Sequence, residues 1–275
     1  MGNMKYPLSL IFGIVLLSIL VLLIIGAPLF TVHDPLEQQV LERLVKPSLE
    51  HPLGTDRFGR DILSRTLYGG RTTILLSLLA LGSAVVIGLF VGLLAGMFHR
   101  TLIDTLLMRV IDVLLAFPFM VLAIVIAALF GTSFIHLLVA VVCVWWVSFA
   151  RLTRSVVLKA KSDTSFAAAT VLGAKSHVIM VQELLPKALS PVLILATFEL
   201  SSLILSISAL SFLGLGSQPP SPEWGSMLAD GRDHFFQAPH ILLGPALFII
   251  LTVLAFNLIG EGLRDWLDPY EITKF

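Results

Sequence analysis

Long apolar stretches separated by shorter polar ones organise this chain. Six of them, at 8–30, 72–97, 106–130, 134–152, 188–214 and 241–263, each run to roughly 20 residues or more, the length an α-helix needs to cross a hydrocarbon core about 30 Å thick. Periodicity and length therefore predict an all-α, polytopic membrane protein with about six transmembrane helices. Composition agrees. With 57% hydrophobic and 13% charged residues and a mean hydropathy of +0.96, the chain lies outside the range of water-soluble domains. The first apolar run is longer than the roughly 7–15 residues of a secretory h-region and is preceded by a single Lys5, so it reads as an uncleaved anchor.

The basic residues then suggest an orientation. With the N-terminus inside, Arg100, Arg151, Arg154, Lys161, Lys175 and Lys187 among others fall on the cytoplasmic side. Fewer fall outside, most of them in a first outer loop where Asp34, Glu42, Asp56 and Asp61 balance them. The reading divides the chain into an N-terminal helix (1–30), an extracytoplasmic loop (31–71), a core of spans (72–264) and a tail (265–275), with both termini cytoplasmic. Zero net charge shows no nucleic-acid surface, and a single Cys143 excludes a disulfide framework.

Particular residues sharpen the picture. Ala80, Ala84, Gly88, Gly92 and Gly96 recur every four residues, a stripe that lets helix backbones approach closely, within the subunit or between subunits. Pro118 and Pro245 each remove a helix donor and predict kinks, whereas Pro191 lies near its helix start. Glu199 sits mid-span, where a carboxylate costs roughly 2.5–3.5 kcal/mol on insertion scales. Ser202 and Ser206 share its face. That face lines a polar solute pathway, or else Glu199 pairs with a neighbouring helix for packing. Asn257, Glu261 and Arg264 form a second ladder near a span end, read as an anchor or interface cluster. His136 and Cys143 share one face but are too few for a metal site, so a packed apolar face is expected there.

Between the fourth and fifth spans lies SFAAATVLGAKSHVIMVQELLP, residues 165–186. It reads as a short Ala-rich helix, a Gly173 cap, a second helix capped by Ser176, and a stop at Pro186. Val178, Ile179, Val181, Leu184 and Leu185 give the second helix an apolar surface outside the spans. Either a docking partner or the bilayer surface covers it.

The spacing of Ala168, Ala169, Gly173, Leu185 and Pro186 resembles the cytoplasmic EAA loop of ATP-binding-cassette importer permeases. Two further stretches resemble the C-type subunit of the dipeptide, oligopeptide and nickel permease family. One is HPLGTDRFGRDILSRTLYGGR (51–71); the other pairs LSFLGLGSQPPSPEWGSML (210–228) with AFNLIGEGLRDWLDP (255–269). Without the family, the first indicates only a tight, hydrogen-bonded loop, and Pro219, Pro220 and Pro222 a stiff segment before Trp224. The resemblance implies a type I importer permease fold in a bacterial inner membrane. Its implied partners are a second homologous permease, two ATPase subunits that bind the ATP, an extracytoplasmic solute-binding protein and membrane lipid. It makes 160–187 the ATPase-coupling loop, with Ala167, Ala168, Ala169, Gly173, Ala174, Val178, Ile179, Leu185 and Pro186 as its residues. The motif's leading Glu falls on Ala167.

No phosphate loop, HExxH motif, GxSxG elbow or cysteine cluster occurs. The expectation is a non-enzyme with no cofactor or metal site of its own. An ion-coupled secondary transporter, favoured by repeated halves and several buried ligands, and a passive channel are the rival classes. For the substrate, the first span's early start and the chain's shortness lean towards nickel or another chelated metal, with di- or oligopeptides as the alternative.

Overall fold

The third apolar stretch does not form one helix. In the computed structural model, which describes residues 7–218 and 220–267, helix α4 (Leu102–Ala116) ends at Phe117, whose backbone is extended, and Pro118 then caps α5 (Phe119–Phe130). A proline ring disfavours helical geometry in the residue before it. The two helices meet at 90°, so the predicted kink is a full break. Pro191 and Pro245 instead lie inside unbroken helices.

Around this corner stand α1 (Leu8–Ile25), extended by the short α2 (Ala27–Phe30), α3 (Ile62–Met97) and α6 (Phe134–Ala160). The short α7 (Thr164–Val171) and α8 (Ser176–Ile179) follow, then α9 (Leu185–Phe212), α10 (Trp224–Arg232) and α11 (His240–Leu267). Among the described residues no strand occurs beyond one isolated bridge between Thr55 and Asp61. Five helical runs are long and apolar enough to cross a membrane, or six if the bent α4–α5 pair is one span.

Several helices run beyond the apolar stretches. Helix α3 starts at Ile62, ten residues before the apolar stretch, because its first turns carry polar groups satisfied or buried by neighbours: Arg65 on the Pro35 carbonyl, buried Thr66, and Arg71 on the last carbonyls of α1. Helix α6 likewise extends beyond residue 152 to Ala160, carrying Arg154, which is bonded to Asp104, and the exposed Lys159. Residues 265–267 of the expected tail belong to α11. The rest of the tail, with Asp268, Pro269 and Lys274, lies outside the described residues, as do Lys5 and Pro219.

The small-residue stripe of α3 is buried within the subunit. A side chain on Gly88 would strike the Phe149 Cβ, one on Gly92 would lie 2.5 Å from the Thr153 Cβ, and one on Gly96 would lie 2.5 Å from Val157. Residues 149, 153 and 157 advance by four in step with 88, 92 and 96, so α3 and α6 run parallel in backbone contact. On the opposite flank α1 and α11 pack antiparallel, Gly13 against Ile259 and Gly262 against Leu10.

Helix α9 sits between these pairs. It contributes Leu200 and Ile204 to a cluster with Leu20, Trp224 and Phe248. It contributes Leu203, Ile207 and Leu210 to a second with Leu76, Val141 and Ala123, and Val192 and Ala196 to a third with Ala84 and Phe149. The expected packed face at His136 and Cys143 is not seen: Cys143 is exposed, and His136 is half-buried with its ring 6.0 Å from that of Phe130.

Gly88→Ala is expected to lower the thermal midpoint of the detergent-solubilised protein by the equivalent of about 1–3 kcal/mol, the usual cost of overpacking. Gly82→Ala, on the same helix with nothing within 4 Å of the added carbon, is expected to leave it unchanged or raise it.

Candidate translocation face and coupling loop

The two ends of the bundle are built differently. At the end where α3 begins, the stretch 51–71 folds into a buried polar knot. Arg60, 1% exposed, donates from Nε to Asp56 Oδ2 at 2.6 Å and reaches Asp230 at 3.4 Å. Arg57 binds the same Asp230 at 2.9 Å. Arg65 lies 3.5 Å from Asp56 and donates to the Pro35 and Pro220 carbonyls. Asp61 caps α3 by accepting from Ser64 N–H at 2.7 Å, and its other oxygen lies 3.0 Å from His51 Nδ1. Gly59, at φ +75°, turns against the Gln39 carbonyl, where no Cβ would fit.

Across from this knot, Glu223 caps α10 by accepting from the N–H groups of Gly225 and Ser226, both at 2.9 Å, and from Thr73 of α3. Burial pushes its carboxyl above the ordinary carboxylate range although these donors pull the other way. Trp224 is fully buried and donates its indole N–H to the Thr66 carbonyl at 2.8 Å. The resemblance carried by 51–71 and by the EWG triplet thus corresponds to one folded unit. It joins the 31–61 segment, α10 and the starts of α3 and α11.

The middle of the bundle holds Glu199. Its Oε2 accepts from the Trp145 indole N–H of α6 at 2.7 Å, and Ser148, one turn on, also reaches the carboxylate. Phe119, the first residue of α5, stands edge-on to Trp145 with ring centroids 4.8 Å apart. Helices α6 and α9 thus meet at this carboxylate, and α5 touches them through Trp145. Ser202 is exposed and Ser206 half-buried on the same side of α9. No cation pairs with Glu199 among the described residues. Trp145 was not legible as its partner, because α6 and α9 are 54 residues apart at that contact. Nearer the knot end, Thr72, Thr132, Ser133, Phe134, Ser217, Gln218 and Ser221 line an open cleft of about 300 Å³.

At the opposite end, the loop between α6 and α9 stands partly clear of the spans. Helix α7 exposes Ala167 and Ala168 and turns Ala169 inward. It ends in a Schellman motif: Ala174 N–H donates to the Ala169 carbonyl at 3.0 Å and Gly173 N–H to Thr170 at 3.1 Å, with Gly173 at φ +75°.

The next helix departs from the sequence reading in two ways. Its N-cap is Lys175, and Ser176 is the first helical residue, making no side-chain cap. Pro186 does not stop it. A π turn, Met180–Leu184, in which Leu185 N–H donates to the Met180 carbonyl, passes straight into α9 with Pro186 in its first turn. A proline is tolerated where its missing donor is not needed. Ile179 and Leu184 are buried against Leu93, Val157 and Ala160, so they anchor the loop. Val178 and Leu185 are half-buried. Val171, Leu172 and Val181 are the exposed apolar residues, at 86, 85 and 60%.

Polar ties hold the loop. Lys187 Nζ binds Asp163 at 2.7 Å and Ser165 Oγ at 3.0 Å, and Lys161 donates to the last carbonyls of α3, Met97 at 2.7 Å. Arg154 grips Asp104 through Nε at 2.8 Å and a second nitrogen at 2.9 Å, with His99 on the same carboxylate. These pairings were missed because each residue, taken alone, registers only as a flanking charge. Asn257, Glu261 and Arg264 are exposed on α11. Among the described residues no group of three metal-ligating side chains occurs.

A helical bundle with five or six helices long and apolar enough to cross a membrane, a capped polar lid at one end and a projecting helical loop at the other has the architecture of a multi-pass membrane protein. The chain belongs to the family described as binding-protein-dependent transport system inner membrane component, whose model matches residues 88–270. It is a permease subunit of an ATP-binding-cassette importer in an inner membrane and not an enzyme, and the family implies ATPase and binding-protein partners. It is similar to the dipeptide transport system permease protein DppC of Alkalihalophilus pseudofirmus, with 42% identity over 259 residues covering 94% of this chain and 85% of that protein. The di/tripeptide transport system permease protein DppC of Pseudomonas aeruginosa is 39% identical over 263 residues, 94% and 86% of the two chains. The glutathione transport system permease protein GsiD of Pectobacterium atrosepticum is 42% identical over 223 residues, 81% and 74%.

The lid carries a pH dependence. Burial pulls His51 down, but hydrogen bonds to Asp61 and Glu42 outweigh it and raise its pKa above 6.5. A raised folded-state pKa contributes stability that is complete below the unfolded value and is lost as pH rises through the folded one. The thermal midpoint is therefore expected to fall as pH rises from about 6.5 through the raised folded-state pKa, and in His51→Gln to lose that part of its slope. An unchanged slope in the variant would remove His51 as the cause.

Proposed function

We propose that this chain is one of two permeases in an importer of short peptides. The supporting observation is the near-full-length similarity to permeases named for dipeptides and di/tripeptides, reinforced by the one named for glutathione. The lean towards nickel gives way to the peptide alternative: it rested on chain length, whereas the similarity spans 94% of the residues. The assembly pairs this subunit with a second permease, two ATPases and an external binding protein. The secondary-transporter and channel readings fall with the family assignment.

The loop 160–187 is the coupling element, with the ends of the chain and this loop cytoplasmic. Its form suits a lever. The buried pair Ile179 and Leu184 fixes it to α3 and α6, its continuity with α9 passes motion to the helix that bears Glu199, and exposed Leu172, Val171 and Val181 offer an apolar patch to a cleft. Binding energy spent at that patch on ATP-driven closure shifts the spans between inward-open and outward-open states. The face bearing Glu199, Ser202 and Ser206 lines the pathway.

ATP-dependent uptake by the reconstituted complex with its binding protein, offered a labelled dipeptide, glutathione or nickel, is expected to show peptide accumulation. Nickel accumulation alone would reverse the assignment. Leu172→Asp combined with Val181→Asp, and separately Gly173→Pro, which cannot adopt φ +75°, are expected to cut uptake about tenfold or more. The spans should remain inserted and ATP hydrolysis should be uncoupled from transport. Ile179→Asp, buried in the anchor, is expected to lower subunit stability instead.

A further inference from the structure

We propose that Glu199 is the subsite that receives the protonated amino terminus of the peptide as it crosses the membrane. The inference rests on the peptide reading above and adds to it a residue and a chemical group. An ionisable side chain mid-span is retained where water, a partner or a ligand compensates it. Glu199 is only partly compensated by its own chain. Its donors are neutral, the Trp145 indole N–H on Oε2 at 2.7 Å and the Ser148 hydroxyl, and no Lys, Arg or His lies within ion-pair distance among the described residues.

The surroundings favour an ammonium. Trp145 orients the carboxylate, being itself braced by Phe119 at 4.8 Å between ring centroids, so the group does not depend on a mobile ligand for its position. Ser202, exposed on the next turn, and Ser206 beyond it extend the face with neutral hydroxyls, which accept and donate hydrogen bonds to peptide amides without discriminating side chains. Farther towards the knot, the cleft lined by Thr72, Thr132, Ser133, Ser217, Gln218 and Ser221 holds only uncharged hydrogen-bonding groups around Phe134. A zwitterionic peptide thus meets neutral groups first and one carboxyl group in the middle of the span. A charge-assisted bond to a primary ammonium is stronger than the neutral bonds around it, and being single it holds the solute without trapping it.

The test uses the complete complex in proteoliposomes with its binding protein, comparing wild type, Glu199→Gln and Glu199→Asp. Gln keeps an oxygen for Trp145 and removes the charge. The expected result is a fall of about tenfold or more in dipeptide uptake for Gln, with binding-protein-stimulated ATP hydrolysis within about twofold of wild type and partial recovery in Asp. In a second arm, wild-type complex receives binding protein preloaded with the dipeptide or with its N-formyl derivative, so that comparison begins after capture. Slower delivery of the N-formyl form, with the difference abolished in Gln, supports the subsite.

Equal delivery of the two forms by wild type overturns it, whether or not the Gln variant assembles. So does a Gln variant that loses the second permease on purification while free-amine and N-formyl peptides are delivered alike, since Glu199 then pairs with that subunit. Absence of any peptide uptake by wild type overturns the peptide reading itself.

Discussion

The close approach of α3 and α6 is the constraint on which the rest depends. Inside a hydrocarbon layer there is little hydrophobic gain from bringing helices together, so their association relies on van der Waals contact over long, matched surfaces. The Gly88, Gly92 and Gly96 stripe meets Phe149, Thr153 and Val157 in step, and this pair forms the wall against which α9 is laid through Ala84, Val192 and Ala196. The same pair, through Leu93 and Val157, also receives Ile179 and Leu184. One interface therefore supports both the helix that carries Glu199 and the root of the projecting loop.

The two ends use different chemistry for different work. At the knot end, buried Arg60 and Arg65 share Asp56. Removing one member would strand the others, at a cost of roughly 3–5 kcal/mol for a broken buried pair. That arrangement suits a lid that stays put. At the loop end, apart from Arg154 on the buried Asp104, the ties are exposed or half-exposed, such as Lys187 with Asp163, and pairs of that kind contribute about 0–1 kcal/mol. They bias a geometry without locking it, which matches a segment expected to move with a partner.

The π turn at Met180–Leu184 connects these ideas. It sits between the anchor residue Ile179 and the first residues of α9, and it accommodates Pro186 without a break. A continuous helical run thereby reaches from Ser176 to Phe212, past Glu199. The 90° corner at Pro118 places Phe119 against Trp145, so α5 touches the same point from another direction.

The sequence by itself determined the class of the protein. Apolar runs of spanning length leave backbone groups no partners except their own helix, and that requirement holds whatever the neighbours are. The Gly173 turn and the small stripe were legible for the same reason: each depends on backbone geometry local to one helix. Only the tertiary structure decided where α3 starts, that Ile179 and Leu184 face inward while Leu172 and Val181 face out, and that Trp145 serves Glu199. Those outcomes rest on contacts between segments distant in the chain, such as residues 145 and 199 or 60 and 230. A polar side chain at a helix end reads alike in sequence whether water or a buried partner satisfies it, and only packing distinguishes the two.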